Sequence, residues 1–304
     1  DGHPRGANGI YEISTDGTNV RQIWNQGSAE YLDWCAAGRY IAMNTVVAGT
    51  PNKRLVIYDE NEGKWRDIGP GEQPAISPDG SSIVARTCVG SLCGLFIMGR
   101  HGEGKRRLTG SADDAMPSWS PTGDRIVFTS LRSGDLELYL MNPDGSGVEQ
   151  LTDAPGYDGG AFLSLDGEWI VWRASRPTGK ALQDYQSLLD EGLIRPGKLE
   201  LFIMNLETRT SIQLTDNGAA NFGPYWHPDG RHIIFSSNMQ DPQGRNFDLY
   251  TINIDNRAIE RITHYDGFDG FPMFSHDGRQ LVFASNRHGK VRGETNVFIA
   301  DFVP

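Results

Sequence analysis

Carboxylates and amides recur at one place in this 304-residue chain, just ahead of a repeated hairpin. Aligned on the hairpins, the residues are Ala29, Gly71, Asp114, Asp158, Asn221 and Asp269, with Glu30 and Glu72 one step further in for the two blank positions. Like charges gathered at one opening repel unless a cation, arginine or lysine neutralises them. Hard oxygen donors in a ring suit calcium, so Asp114, Asp158 and Asp269 are candidate Ca2+ ligands. The same ring suits a peptide bearing lysine or arginine. Asp and Asn before a strand also cap their own loops by accepting backbone N–H bonds, and that reading stays open. Fifteen residues after the Asp158 and Gly71 positions stand Arg173 and Arg86, which can serve as counter-ions, as clamps on a carboxylate ligand, or as salt bridges between repeats. Tyr157, Asn221 and His264 complete the candidate ligand-binding set, with Phe222, Tyr265, Phe268 and Phe271 adding aromatic surface.

The elements that place these residues are hairpins. Residues 117–128, PSWSPTGDRIVF, read as strand, glycine turn, strand. The frame returns at 32–43, 74–85, 161–172, 224–235 and 272–283, making six copies. Their turn glycines are Gly38, Gly80, Gly123, Gly167, Gly230 and Gly278, spaced 42, 43, 44, 63 and 48 residues apart. Periods of about 40–50 fit four-stranded propeller blades. A third strand follows each hairpin (LVIYD, LFIMG, LYLMN, LFIMN, LYTIN, VFIAD), and a fourth follows most of them (RDIG, RRLT, EQLT, IQLT, ERIT). With IYEIS at 10–14 and RQIW at 21–24, 25 strands are expected where six full blades need 24. Strand 21–24 is expected to close the ring in the last blade. Segments 10–14 and 297–301 then compete for that blade's third position.

This pattern resembles the TolB-type β-propeller repeat, carried by Ser77-Pro78-Asp79-Gly80, His227-Pro228-Asp229-Gly230 and Ser275-His276-Asp277-Gly278, and by LYLMNPDGSGVEQLT (138–152). The first repeat departs from it, with Cys35-Ala36-Ala37-Gly38 lacking the Pro and Asp. The resemblance implies an all-β, six-bladed propeller over 1–304, a periplasmic or secreted location, and work through protein contacts rather than catalysis. Two other readings remain open by resemblance: a polysaccharide-lyase-like carbohydrate enzyme, and the propeller half of a prolyl-oligopeptidase-like protein.

Strand direction sorts the loops. The loops before the innermost strand and those between the second and third strands share one face, which varies in length and composition and is where function usually sits. The short, uniform turns on the other face read as scaffold. An insertion at 174–198 belongs to the variable face, and residues 181–192 read as a helix with Leu182, Tyr185, Leu188 and Leu189 on one stripe.

The remaining signals are bounds. A net charge of −11 argues against nucleic acid as a partner. No run of 18 apolar residues spans a membrane, and Asp1-Gly2-His3-Pro4 opens no secretory signal. Cys88 and Cys93 are either a hairpin disulfide or two buried small side chains; Cys35 has no evident partner. No Gly-x-Ser-x-Gly, His-Glu-x-x-His or phosphate-binding glycine loop occurs. A monomeric, non-enzymatic propeller that holds a peptide, protein or small ligand at its channel mouth is expected.

Overall fold

The computed structural model describes residues 10–12, 21–24, 29–35, 40–46, 53–195, 198–275, 277–287 and 295–302. It is a six-bladed propeller. After the N-terminal pair β1 (Ile10–Glu12) and β2 (Arg21–Trp24), blade 1 holds β3 (Ala29–Trp34), β4 (Tyr40–Val46), β5 (Lys53–Asp59) and β6 (Lys64–Pro70). Blade 2 holds β7 (Glu72–Ile76), β8 (Ser82–Val89), β9 (Leu92–Gly99) and β10 (Arg106–Arg107), and blade 3 holds β11 (Ala115–Trp119), β12 (Ile126–Ser130), β13 (Glu137–Met141) and β14 (Glu149–Gln150). In blade 4, β15 (Asp158–Leu163) and β16 (Trp169–Ala174) are followed by helix α1 (Gly179–Asp190), then β17 (Glu200–Asn205) and β18 (Ser211–Gln213). Blade 5 runs β19 (Asn221–Trp226), β20 (His232–Ser237), β21 (Asp248–Asn253) and β22 (Ile259–Arg261). Blade 6 has β23 (Asp269–Phe274), β24 (Gln280–Ser285) and β25 (Asn296–Asp301).

The competition for the closing blade is resolved. β25 pairs with β24 and so takes the third position. β1 pairs with β2, and it is β1 that lies beside β25. An N-terminal strand does flank the last blade, but it is 10–12 rather than the expected 21–24. The turn around Gly38, and His276, lie outside the described residues.

Each blade buries apolar residues on both faces, so cores form between blades. Leu55, Ile57, Ile83 and Phe96 fill the space between blades 1 and 2, and Val171, Leu201, Ile233 and Tyr250 that between blades 4 and 5. Three side-chain devices explain the repeated motifs. In the hairpin turns, serine hydroxyls bond the aspartate two or four residues on: Ser77–Asp79 at 2.6 Å, Ser120–Asp124 at 2.8 Å and Ser275–Asp277 at 2.7 Å. The same hydroxyls accept N–H bonds from Ser82, Arg125 and Gln280 across the turn. The bond from Ser77 to Asp79, and that from Ser275 to Asp277, hold those carboxyls below their ordinary range. A threonine two residues past the fourth strand in blades 2 to 5 (Thr109, Thr152, Thr215, Thr263) accepts the N–H of a third-strand leucine (Leu95, Leu138, Leu201, Leu249) on its hydroxyl at 2.9–3.0 Å. Trp119 and Trp226 donate their indole N–H to Ala75 and Phe162 carbonyls of the preceding blade, each at 3.2 Å.

The Cys88–Cys93 disulfide is formed, clasping the β8–β9 hairpin, and Cys35 is free and buried. Helix α1 begins two residues earlier than expected. It ends at Asp190, two residues short of 192, with Gly192 just past the cap: Gly192 has φ +72 and its N–H donates to Leu189 O, while the Leu193 N–H donates to Leu188 O. Among the described residues no helix is long and apolar enough to cross a membrane.

Candidate binding site at the channel mouth

All six inner strands break register at the same place, with one extra residue on the inner strand against the second. Within that stretch one residue per blade is left-handed: Tyr31 (φ 51), Gln73 (φ 54), Met116 (φ 49), Gly160 (φ 65), Gly223 (φ 59) and Phe271 (φ 54). For a non-glycine residue this conformation costs about 1–2 kcal/mol. Four such residues at equivalent positions mean that the surroundings enforce it. Part of the enforcement is visible. Gln73 N–H donates to Asn44 Oδ1 (2.9 Å), Met116 N–H to Gln73 Oε1 (2.9 Å) and Phe271 N–H to Ser236 Oγ (3.1 Å), each acceptor belonging to the preceding blade. The bulges form a ring at the variable end of the channel. Tyr31 and Phe271 stand 51% and 57% exposed there.

The sequence-level candidates divide around this ring. Asp114, Asp158 and Asp269 are fully buried, and each is taken by an arginine 18 residues on in its own blade. Arg132 holds both oxygens of Asp114 at 2.8 and 2.9 Å; Arg176 holds Asp158 at 2.7 and 2.9 Å; Arg287 holds Asp269. Each of these ion pairs closes within a single blade. Trp172 adds an indole bond to Asp158 at 2.5 Å. Burial pushes the Asp158 carboxyl above its ordinary value, against the opposing pull of Arg176 and Trp172. The expected oxygen ring is not what these three build, because each carboxylate turns back into its blade to meet an arginine. The described residues contain no group of three or more His, Cys, Asp or Glu placed to share a metal ion. Asn221 is likewise engaged, donating to Leu199 O, Glu200 Oε2 and Asn217 Oδ1 at 2.8–3.0 Å. His264 is exposed in the loop before β23.

Arg173 differs from the others. Arg86 lies opposite Glu72 in the β7–β8 register and pairs with it at 3.2 Å. Arg173 occupies the equivalent register in blade 4, but the residue opposite is Gly159. Its guanidinium bonds Tyr157 OH at 3.1 Å, touches Met116 Sδ at 3.7 Å and sits over the Tyr157 ring. It covers Gly160, where a Cβ would come within 3.0 Å of its Nη1. Tyr157 itself is buried and serves to hold Arg173. In the next blade Gly223 is covered by Phe271, whose ring Cδ1 lies 3.5 Å from a Cβ placed there. So where the ring has glycines, neighbouring side chains fill in: Arg173 over blade 4 and Phe271 over blade 5.

Phe271 belongs to a cluster with Phe222, Phe247 and Phe268, with ring centroids 5.1–6.2 Å apart. Only Phe271 is largely exposed, and the other three are half-buried. Across the ring, α1 packs Tyr185 with Leu136, Tyr157 and Leu199, and Met116 joins this cluster from the side. The Tyr185 hydroxyl donates to Asp135 Oδ1 at 2.6 Å. The helix thus covers the variable face at blades 3 and 4 and walls one side of the mouth.

The other end of the channel holds a cavity of about 460 Å³ lined by Asp33, Trp119, Phe162, Tyr225, Trp226 and Met273, among others. Here the inner strands supply Asp33, Ile76, Ser118, Phe162, Tyr225 and Met273 in turn. Burial, and then the Asp33 charge, hold the Tyr225 phenol above its usual range. Asp33 Oδ2 accepts the Ile76 N–H of blade 2 at 2.7 Å.

The TolB beta propeller domain family model matches residues 66–187. An uncharacterized peptidase of Bacillus subtilis is 28% identical over 143 residues, 41% of this chain and 22% of that protein. The TolB homolog of Chlorobaculum tepidum is 27% identical over 174 residues, 57% of this chain and 34% of its own. The chain thus spans well under half the length of these two relatives. Among solved structures, TolB from Acinetobacter baumannii superposes with a TM-score of 0.67 at 19% identity, covering 89% of this chain and 64% of that one. An oligogalacturonate lyase in complex with manganese superposes with a TM-score of 0.65 at 15% identity, covering 96% and 82%. At these identities the structural likeness is one of fold.

Proposed function

Since this chain is a TolB-type six-bladed β-propeller, we propose that it is a non-enzymatic binding module whose ligand, a peptide or protein segment, seats on the variable end of the channel. The observation that carries this reading is the ring of left-handed bulges. Six blades adopt the same left-handed backbone at one position, at a cost in four of them, while the side chains differ in nearly every blade: Tyr31, Gln73, Met116, Phe271 and two glycines. Strain repeated around one end of a channel points to a functional surface. The buried carboxylates Asp114, Asp158 and Asp269 frame the site as supports for the inner strands and are not counted as metal ligands. A disulfide fits an oxidising compartment, periplasmic or extracellular.

Selection of displayed peptides on the protein, followed by titration calorimetry, tests the reading. Peptides enriched on the native protein should lose at least about tenfold in affinity for the Tyr31→Ala/Phe271→Ala variant, as expected when exposed aromatic anchors are removed. Undiminished binding to that variant, or no enrichment on the native protein, removes the proposal.

A further inference from the structure

The identity of the ligand group follows from one unmatched charge. Arginines that reach the inner strands from the second strand or the loop after it come in one pattern: each has a carboxylate. Arg86 has Glu72 at 3.2 Å, Arg132 has Asp114 at 2.8 Å, Arg176 has Asp158 at 2.7 Å, and Arg287 has Asp269. Arg173 has none among the described residues. Its protein partners are a phenol oxygen and a thioether sulfur. A guanidinium carries five N–H donors, so most of its capacity is unspent, although the side chain is half-buried and costs desolvation to keep there. The absence is built into the backbone. Cross-strand from Arg86 stands Glu72, while cross-strand from Arg173 stands Gly159, where a Cβ would come within 2.5 Å of Tyr157 Oη. Tyr157 thus holds Arg173 and also excludes any side chain that would neutralise it.

We propose that Arg173 receives a carboxylate of the bound peptide, and that an apolar side chain of the same peptide packs on Phe271 and its phenylalanine cluster. This rests on the reading of the mouth as a peptide site and adds the chemistry of what enters it. Arg173 covers blade 4 of the ring and Phe271 covers blade 5, so the two contacts are adjacent around the rim. A carboxylate matches the planar fork of arginine in a two-bond geometry. The phenylalanine cluster offers no hydrogen-bonding group, which suits an apolar side chain better than a sugar. The net charge of −11 opposes anions at long range, so selection must come from contact at Arg173 rather than from the field of the whole protein.

The test is affinity selection, read by mass spectrometry, on three randomised tetrapeptide libraries: free C-terminal acids lacking Asp and Glu, C-terminal amides lacking Asp and Glu, and the same amides with one fixed Glu. Free acids, Glu-bearing amides or both should be retained at least about tenfold over acid-free amides, the scale of one charge-assisted bidentate contact. The first and third libraries distinguish a chain end from a side chain as the source. Arg173→Gln should erase the preference while unchanged thermal melting shows an intact fold, and Arg173→Lys should restore part of it. Equal retention of acid-free amides, or a preference surviving in Arg173→Gln, overturns the carboxylate proposal but leaves the mouth as a peptide site. No retention of any peptide by the native protein removes both. Retained peptides displaced by oligogalacturonate in an Arg173-dependent way would reassign the arginine to a sugar acid and also overturn it.

Discussion

The two ends of each inner strand obey different rules. At the hairpin-turn end the side chains repeat: a serine bonds an aspartate in four described turns, starting at Ser77, Ser120, Ser164 and Ser275, and the backbone is unstrained apart from the turn glycine. At the other end the backbone repeats and the side chains vary. Every blade carries the left-handed bulge, yet the residue on it changes from aromatic to amide to thioether to nothing. Repeated side chains with ordinary backbone describe a scaffold, whereas a repeated backbone with changing side chains describes a surface that is free to differentiate. The cavity of about 460 Å³ lies at the scaffold end, so a cavity alone does not identify the specific end.

Three measurements press on this contrast. The largest effect is expected at Glu137, which opens β13 on the variable side. It is buried, Oε2 has no hydrogen-bond partner, and its carboxyl is pushed up to about 8, first by burial and then by the charges of Asp158 and Asp135, with the Thr152 hydroxyl opposing. The folded protein then holds a proton that the unfolded chain releases near 4.5. Stability should therefore be greatest below about pH 4.5 for this group and fall as pH rises through 8, by up to about 5 kcal/mol in all at 1.36 kcal/mol per unit. Urea unfolding of the native protein and Glu137→Gln across this range checks it; the variant should lose the slope, and parallel curves would refute the assignment. The second is Asp158→Asn, which strands Arg176 and should cost about 2–3 kcal/mol, low for a buried pair because Arg176 is 31% exposed and can turn to water. Arg173→Gln, at the next pair of the same two strands, should change stability by no more than about 0.5 kcal/mol. A large loss there would make Arg173 scaffold too. The smallest effect compares the two ends directly. Ser120→Ala removes a turn bond and should cost about 1 kcal/mol, whereas Tyr31→Gly relieves a left-handed residue that is half exposed and should be neutral or stabilising by up to about 1 kcal/mol. If both substitutions destabilise alike, the bulge ring is structural.

The hairpin count, the blade number and the helix were legible because glycine turns, alternating strands and a helical stripe are local signals. The closing blade was not, since which terminal strand sits beside β25 depends on packing between distant segments. The carboxylates were visible but their partners were not. The 18-residue interval from Asp114 to Arg132, Asp158 to Arg176 and Asp269 to Arg287 was present in the sequence, yet only a folded blade brings those ends together. The bulges also left a trace: Pro74, Pro117, Pro224 and Pro272 each follow the left-handed residue, and proline is tolerated inside a sheet mainly at such irregularities. Its meaning emerges only when the register slip is seen. Tyr157 reads as mouth aromatic surface in sequence and proves to be the buried support of Arg173, because an aromatic next to glycines gives no indication of which way it turns.

The register slip that creates the ring also uncouples it. Because the extra residue stands outside the ladder, replacing it disturbs neither the alternation of the strand nor the pairing of its neighbour. Of the six positions around the axis, only Gln73 among the described residues bonds through its side chain to the next bulge, where its Oε1 accepts the Met116 N–H, and the others can be exchanged one at a time like letters in a fixed-length word. A protein built this way can change what it recognises by point substitution alone, without insertions, while its frame stays spelled the same.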